Sequence, residues 1–241
     1  MRSIVIPVLI CSLILALDGC FTAPTYPVVP QISFNDIYYG KSPKLDSIVI
    51  KLNFKDGDGD IGLAAQDTVL QQYARKFNYL FQNKLVNYRT KRQNPNLTIN
   101  GNKLPDFVSP FNCTNWEVPR DKNLQPIDTL YVEYNPDYYN MFVDLYIDDG
   151  TNNYVLLDFT TFFKYPGCFI GGFNGRIPVL SSDLGKKSPL DGTLQYSIKS
   201  LGFAEILGVK SFKLKITIQD RALNKSNTIL TDAFTLASIR R

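Results

Sequence analysis

Three carboxylates stand at alternate positions in the stretch Lys55-Asp56-Gly57-Asp58-Gly59-Asp60-Ile61-Gly62. Like charges so closely spaced repel unless a cation sits among them, and the intervening glycines permit the tight curvature that wraps oxygens around one. A donor set made only of hard oxygens points to calcium. Against the EF-hand pattern, Asp56, Asp58 and Asp60 fill the first, third and fifth ligand positions and Asp67 the twelfth, but Ile61 replaces the invariant glycine. A strand-like run, Ser47 to Phe54, precedes the loop where an EF-hand has a helix. The stretch therefore reads as a free-standing Asp-rich turn at one end of a sheet. Two readings stay open: a calcium clamp built from Asp56, Asp58, Asp60 and Asp67, or a solvated turn in which Asp and Gly serve only backbone geometry.

Other chemistry is sparse. The 241 residues contain no histidine, which removes Ser-His-Asp and Cys-His nucleophile pairs, His-ligated zinc and the commonest general base. A glycosidase needs only two carboxyls, and Asp56, Asp58, Asp60, Asp148, Asp149 and Glu133 are the candidates. General acid work requires an apolar pocket, however, and these acids lie mostly in turn-like sequence. Between Asp67 and Asp106 there is no acidic residue, while Arg75, Lys76, Lys84, Arg89, Lys91, Arg92 and Lys103 are interleaved with aromatic side chains. That stretch is either a surface for acidic sugars and phosphates or a solvated basic hairpin whose aromatics pack inward. A net charge of +4 is too small to imply nucleic acid.

The first residues suggest where the chain resides. Arg2 precedes the apolar run Ile4 to Leu17, too short to span a bilayer comfortably, and the run ends at Leu17-Asp18-Gly19-Cys20. Residues 1–19 look like a bacterial lipoprotein signal peptide, which makes Cys20 the acylated first residue of the mature chain. An ordinary secretory signal and a buried amino-terminal strand are the alternatives. Residues 20–30, with Pro24, Pro27 and Pro30, read as an extended tether. In an oxidising compartment Cys113 and Cys168 can form a disulfide, stabilising by about 4 kcal/mol in the loop-entropy model, or remain two buried thiols.

The elements that must position the Asp loop are strands. Nineteen Asp against three Glu, with 13% aromatics, describe a chain poor in helix formers and rich in turns. Ile48, Ile50, Leu52 and Phe54 share one face. Strands are also expected over Gln31 to Phe34, Asn78 to Leu85 with Val86 to Arg89 (as a twisted hairpin or one long strand), Thr129 to Tyr134, Asn140 to Ile147, Tyr154 to Phe159, Leu190 to Ser197, Phe212 to Gln219 and Thr228 to Leu236. The pattern predicts an all-β chain, an antiparallel immunoglobulin-like β-sandwich over residues 31–241 with a long insertion at about 64–126.

Four segments carry a resemblance. The Asp-Gly-Asp-Gly-Asp-Ile-Gly loop, Gly175-Arg176-Ile177-Pro178-Val179-Leu180, Ser188-Pro189-Leu190-Asp191-Gly192-Thr193-Leu194, and Ile218-Gln219-Asp220-Arg221-Ala222-Leu223-Asn224-Lys225-Ser226-Asn227 resemble uncharacterised Bacteroidetes lipoproteins with an immunoglobulin- or fibronectin-like sandwich. The resemblance implies fold and location, not activity. Surface-exported members of that phylum place acidic residues directly after the lipidated cysteine. Residues 21–30 have none, so the expectation is an outer-membrane lipoprotein facing the periplasm. It would bind an envelope protein or glycan without catalysis; the alternative is a His-free carbohydrate-active hydrolase using paired carboxylates.

Overall fold

Alternation of apolar and polar residues decides the longest elements, because successive side chains of a strand point to opposite faces. The computed structural model describes residues 24–41, 45–63, 77–78, 80–81, 84–107, 115–157, 172–180, 187–200 and 202–241. Seven strands carry the frame: β1 Gln31–Gly40, β2 Asp46–Asp56, β3 Met141–Asp148, β4 Tyr154–Leu156, β5 Leu190–Ser200, β6 Phe212–Ile218 and β7 Ile229–Leu230. They form two antiparallel sheets, ordered β1-β2-β5 and β4-β3-β6-β7. The chain is all-β.

The inward faces of both sheets meet in one core. Ile48, Ile50, Leu52 and Phe54 of β2 join Met141, Val143 and Leu145 of β3 and Phe212, Leu214, Ile216 and Ile218 of β6. Each such aliphatic side chain contributes about 1.5–3 kcal/mol by leaving water. A short helix, α2 (Phe203–Leu207; α1 is described below), closes one side by burying Phe203 and Leu207 in the same core. β2 is the central strand of its sheet. Its register with β5 runs without interruption from Ser200↔Asp46 to Leu190↔Asp56, so both end together at Asp56.

The segment between β2 and β3 has a small core of its own, Val86, Ile99, Leu104, Trp116 and Tyr131. Edge-on aromatic contacts hold it, Trp116 to Tyr131 at 5.4 Å and Tyr88 to Trp116 at 5.9 Å between ring centroids. Local bonding here overrides strand propensity. Instead of the strand expected over Val86 to Arg89, helix α1 runs Tyr88–Gln93, started by the Asn87 side chain accepting from the Thr90 amide at 2.8 Å. Lys91, in the basic stretch, turns inward on this helix to Pro95 O (3.1 Å) and Asp106 (3.2 Å), so it is not free to meet a ligand. The expected strand Thr129 to Tyr134 is two short ones, Leu130–Tyr131 and Glu133–Tyr134. The last strand is likewise shorter than expected: the Thr231 hydroxyl takes the Leu214 amide (3.0 Å) in place of a backbone carbonyl, and pairing with β6 resumes only as an isolated bridge between Phe212 and Phe234.

Among the described residues no helix is long and apolar enough to cross a membrane. Cys20, Asp67, Cys113 and Cys168 lie outside the described residues.

Candidate metal centre

The loop after β2 is pulled inward rather than left in solvent. Ile61 is a core residue, and the Leu63 amide donates to Ile177 O at 2.8 Å. Between these anchors and the end of β2 the chain must turn within a few residues. Gly59 makes this possible. Its φ is +68°, and a side chain there would meet Ser188 O at 2.2 Å.

The consequence is a set of carboxylates held out of water. Asp56 is 0% exposed and Asp58 8%, so the solvated-turn reading fails for these two residues. One oxygen from each of Asp56, Asp58 and Asp60 comes within 4.8 Å of the others. Oδ1 of all three is buried and has no hydrogen-bond partner. A buried carboxylate oxygen without a donor is costly, and three facing one another are more so. Asp56 Oδ2 accepts from the Ile61 amide at 3.2 Å, the Asp60 amide also supports the Asp56 carboxylate, and Asp58 Oδ2 lies 3.6 Å from Lys187 Nζ.

A fourth carboxylate comes from the other sheet. β6 ends beside the loop, and the turn after it carries Asp220, 1% exposed. This turn is fixed by Asn224, whose amide and side chain donate to the Asp220 carboxylate at 2.7 and 2.8 Å, while the Arg221 amide donates to Asp60 O at 3.4 Å. Burial pushes Asp56 and Asp60 up to about 6, with Asp58 and Asp220 adding to the shift in both. Asp220 is raised for the same reasons, burial first. Four acids against the two nearby cations, Lys187 and Arg221, leave a surplus of two negative charges, which is the charge one divalent ion would balance.

The donors suit such an ion. Carboxylate oxygens with no thiolate or imidazole suit hard cations such as calcium or magnesium. A strand, β2, precedes the loop where an EF-hand has a helix, and Ile61 stands in the place of its invariant glycine, so the resemblance to an EF-hand rests on the spacing of Asp56, Asp58 and Asp60. Asp220, whose two oxygens are held by Asn224, adds negative charge beside the trio; it was not singled out from the sequence, where it reads as one more turn residue.

The other acids considered for catalysis do not join this group. Asp148 and Asp149 begin the β3–β4 hairpin at the opposite end of β3 from the Asp220 turn, roughly 25 Å away along eight strand residues. Glu133 accepts from Tyr131 Oη at 3.2 Å in the short ladder beside the small core.

The four segments that carry the family resemblance all converge here. Ile177 and Pro178 border Leu63 and Gly62, Ser188 and Leu190 border Gly59 and Asp56, and Asp220 and Arg221 border Asp60. Comparison with protein-family models, with curated proteins and with solved structures finds no match for this chain.

Proposed function

We propose that this chain is a lipid-anchored, non-enzymatic module of a bacterial envelope, an immunoglobulin-like sandwich whose two sheets are joined at one end by a bound calcium ion. The observation that carries the proposal is the trio of buried, unpartnered Oδ1 atoms of Asp56, Asp58 and Asp60. An ion there would replace repulsion by coordination and draw β2 and the turn after β6 together. Strand order supports the fold reading: with the frame strands taken as A, B, C, C′, E, F and G, the sheets read A-B-E and C′-C-F-G, the division found in fibronectin-like sandwiches.

The anchor is carried by the Leu-Asp-Gly-Cys20 junction, and the periplasmic face by the lack of acidic residues after Cys20. Recognition of an envelope protein or glycan is the role that this location and the absence of histidine leave most room for. Calorimetric titration with calcium, alongside melting in calcium and in chelator, tests the ion. Equal melting temperatures and no heat of binding would remove it. Detergent partitioning of the wild type against Cys20→Ala tests the anchor, which fails if both remain in the aqueous phase.

A further inference from the structure

The amino-terminal segment that precedes β1 is seated on the carboxylate loop. The Gly57 amide, between Asp56 and Asp58, donates to Pro27 O at 2.8 Å. The fit leaves no space: a side chain at position 57 would lie 2.3 Å from Tyr26 O. Tyr26 fixes the seat from the side, its hydroxyl donating to Asp191 Oδ2 at 3.0 Å and its ring lying 5.3 Å from Lys55 Nζ. The chain is next held where β1 begins, with Gln31 paired to Lys55 and Ile32 bonded to Asn227. Val28 and Val29 between them are exposed.

We propose that calcium in this site is a latch for residues 24–30, holding them against the body when bound and releasing them when lost. The inference rests on the calcium reading of the loop, whose ligand-seeking feature is the wholly buried Asp56 with its unpartnered Oδ1. Gly57 is covalently between two of the ligands, so it cannot keep its place if they separate. Without the ion, mutual repulsion among Asp56, Asp58, Asp60 and Asp220 is relieved by the acids separating, and any shift of Gly57 breaks its close contacts with Tyr26 and Pro27. Release adds the reach of residues 24–30, at about 3.3 Å each some 20 Å, between the body and whatever precedes residue 24. In a lipid-anchored chain the ion would thereby set how far the sandwich stands from the membrane.

Single-molecule energy transfer tests this on the detergent-solubilised full chain, with dyes attached through non-natural amino acids at positions 25 and 195, both on exposed side chains. Calcium chloride should give one narrow, high-efficiency population, and chelator a broad population of lower efficiency. Gly57→Ala, whose added methyl collides with Tyr26 O, should show the broad population in both conditions. Tyr26→Ala, which leaves the loop untouched, should weaken the narrow population in calcium and serves if Gly57→Ala does not fold. Calcium binding without any change in efficiency overturns the latch and leaves the metal site standing. A narrow population retained in calcium by either variant also overturns it. Absence of calcium binding removes the metal site and the latch together.

Discussion

Two loops of this molecule draw on the same residues and use them in opposite ways. At one end of the sandwich, Asp148-Asp149-Gly150-Thr151-Asn152-Asn153 turns β3 into β4 in solvent, and its carboxylates are satisfied mainly by the loop itself, with Ser211 Oγ donating to Asp148 Oδ2 at 3.4 Å. Asp148 Oδ1 accepts from the Gly150 and Asn152 amides at 3.0 Å each, and Asp149 accepts from Thr151 and from the Asn153 side chain at 2.7 to 3.0 Å. Those bonds hold Asp149 below the usual carboxylate range. At the other end, the loop after β2 is drawn under Ser188 and Pro178, its Oδ1 atoms have no donors, and burial lifts Asp56 and Asp60 to about 6. Composition alone does not separate a turn from a cation site. Whether the loop supplies enough N–H and O–H donors for its own carboxylates does.

The largest test of this contrast is calcium itself. At free calcium one hundredfold above Kd, binding to the folded state alone adds about 2.7 kcal/mol, a rise of roughly 5–10 °C in melting temperature for a chain of this size. Asp58→Asn should abolish most of the rise. In chelator the same variant should melt above the wild type, because it removes one member of a repelling group. If Asp58→Asn lowers the melting temperature equally in calcium and in chelator, the loop is a packing element and not a cation site.

Gly59→Ala attacks the geometry that creates the buried cluster. The left-handed backbone costs about 1–2 kcal/mol for a residue with a side chain, and the methyl overlaps Ser188 O besides. A loss of about 4–8 °C is expected in calorimetric melting. The calcium response should weaken with it, since the loop can no longer close.

The pH dependence should carry opposite signs at the two ends. Asp56 and Asp60 have folded values raised above 3.8 to about 6, so the folded state binds more protons than the unfolded state between roughly pH 4 and 6. In chelator, stability should therefore increase as pH falls from 7 to 5, by a few degrees of melting temperature. The charged groups facing these two acids are Asp58, Asp220, Lys187 and Arg221. In calcium the slope should flatten or reverse, because protons compete with the ion. Asp149 behaves in the opposite sense, its lowered value giving stability that is present above pH 4 and lost as pH falls further. Melting curves from pH 4 to 7.5 in chelator and in calcium separate these cases.

Much of the frame was legible because strand burial leaves a period of two. Ile48 to Phe54, Met141 to Leu145 and Phe212 to Ile218 alternate clearly, and each is a strand close to the expected limits. Legibility fails where side chains compete with the ladder. Asn87 starts a helix, and Thr231 takes a β6 amide in place of a backbone carbonyl, through single hydrogen bonds that no periodicity announces. For the metal centre, the sequence shows the three alternating acids but not their burial, which depends on Ile61 reaching the core and on Ser188 closing over Gly59. Asp220 is harder still. It lies 160 positions after Asp60 and is brought there only because β2 and β6 end at the same edge of two packed sheets. The one sequence signal for it was its place in the fourth resembling segment, which the fold puts against the other three.

The smallest effect is expected from Asp149→Asn, and its smallness is informative. The substitution keeps one acceptor oxygen for Thr151 but turns a nitrogen donor toward the donor of Asn153, so one bond of an exposed loop is lost. Surface changes of this kind shift melting by no more than about 2 °C. What distinguishes this site from the loop after β2 is therefore the calcium difference rather than the shift. For Asp149→Asn the rise in melting temperature on adding calcium should equal that of the wild type, because the altered loop lies at the far end of β3 from the buried acids. A reduced rise would mean that calcium binds the exposed hairpin as well, and that donor supply within a loop does not decide where the ion goes.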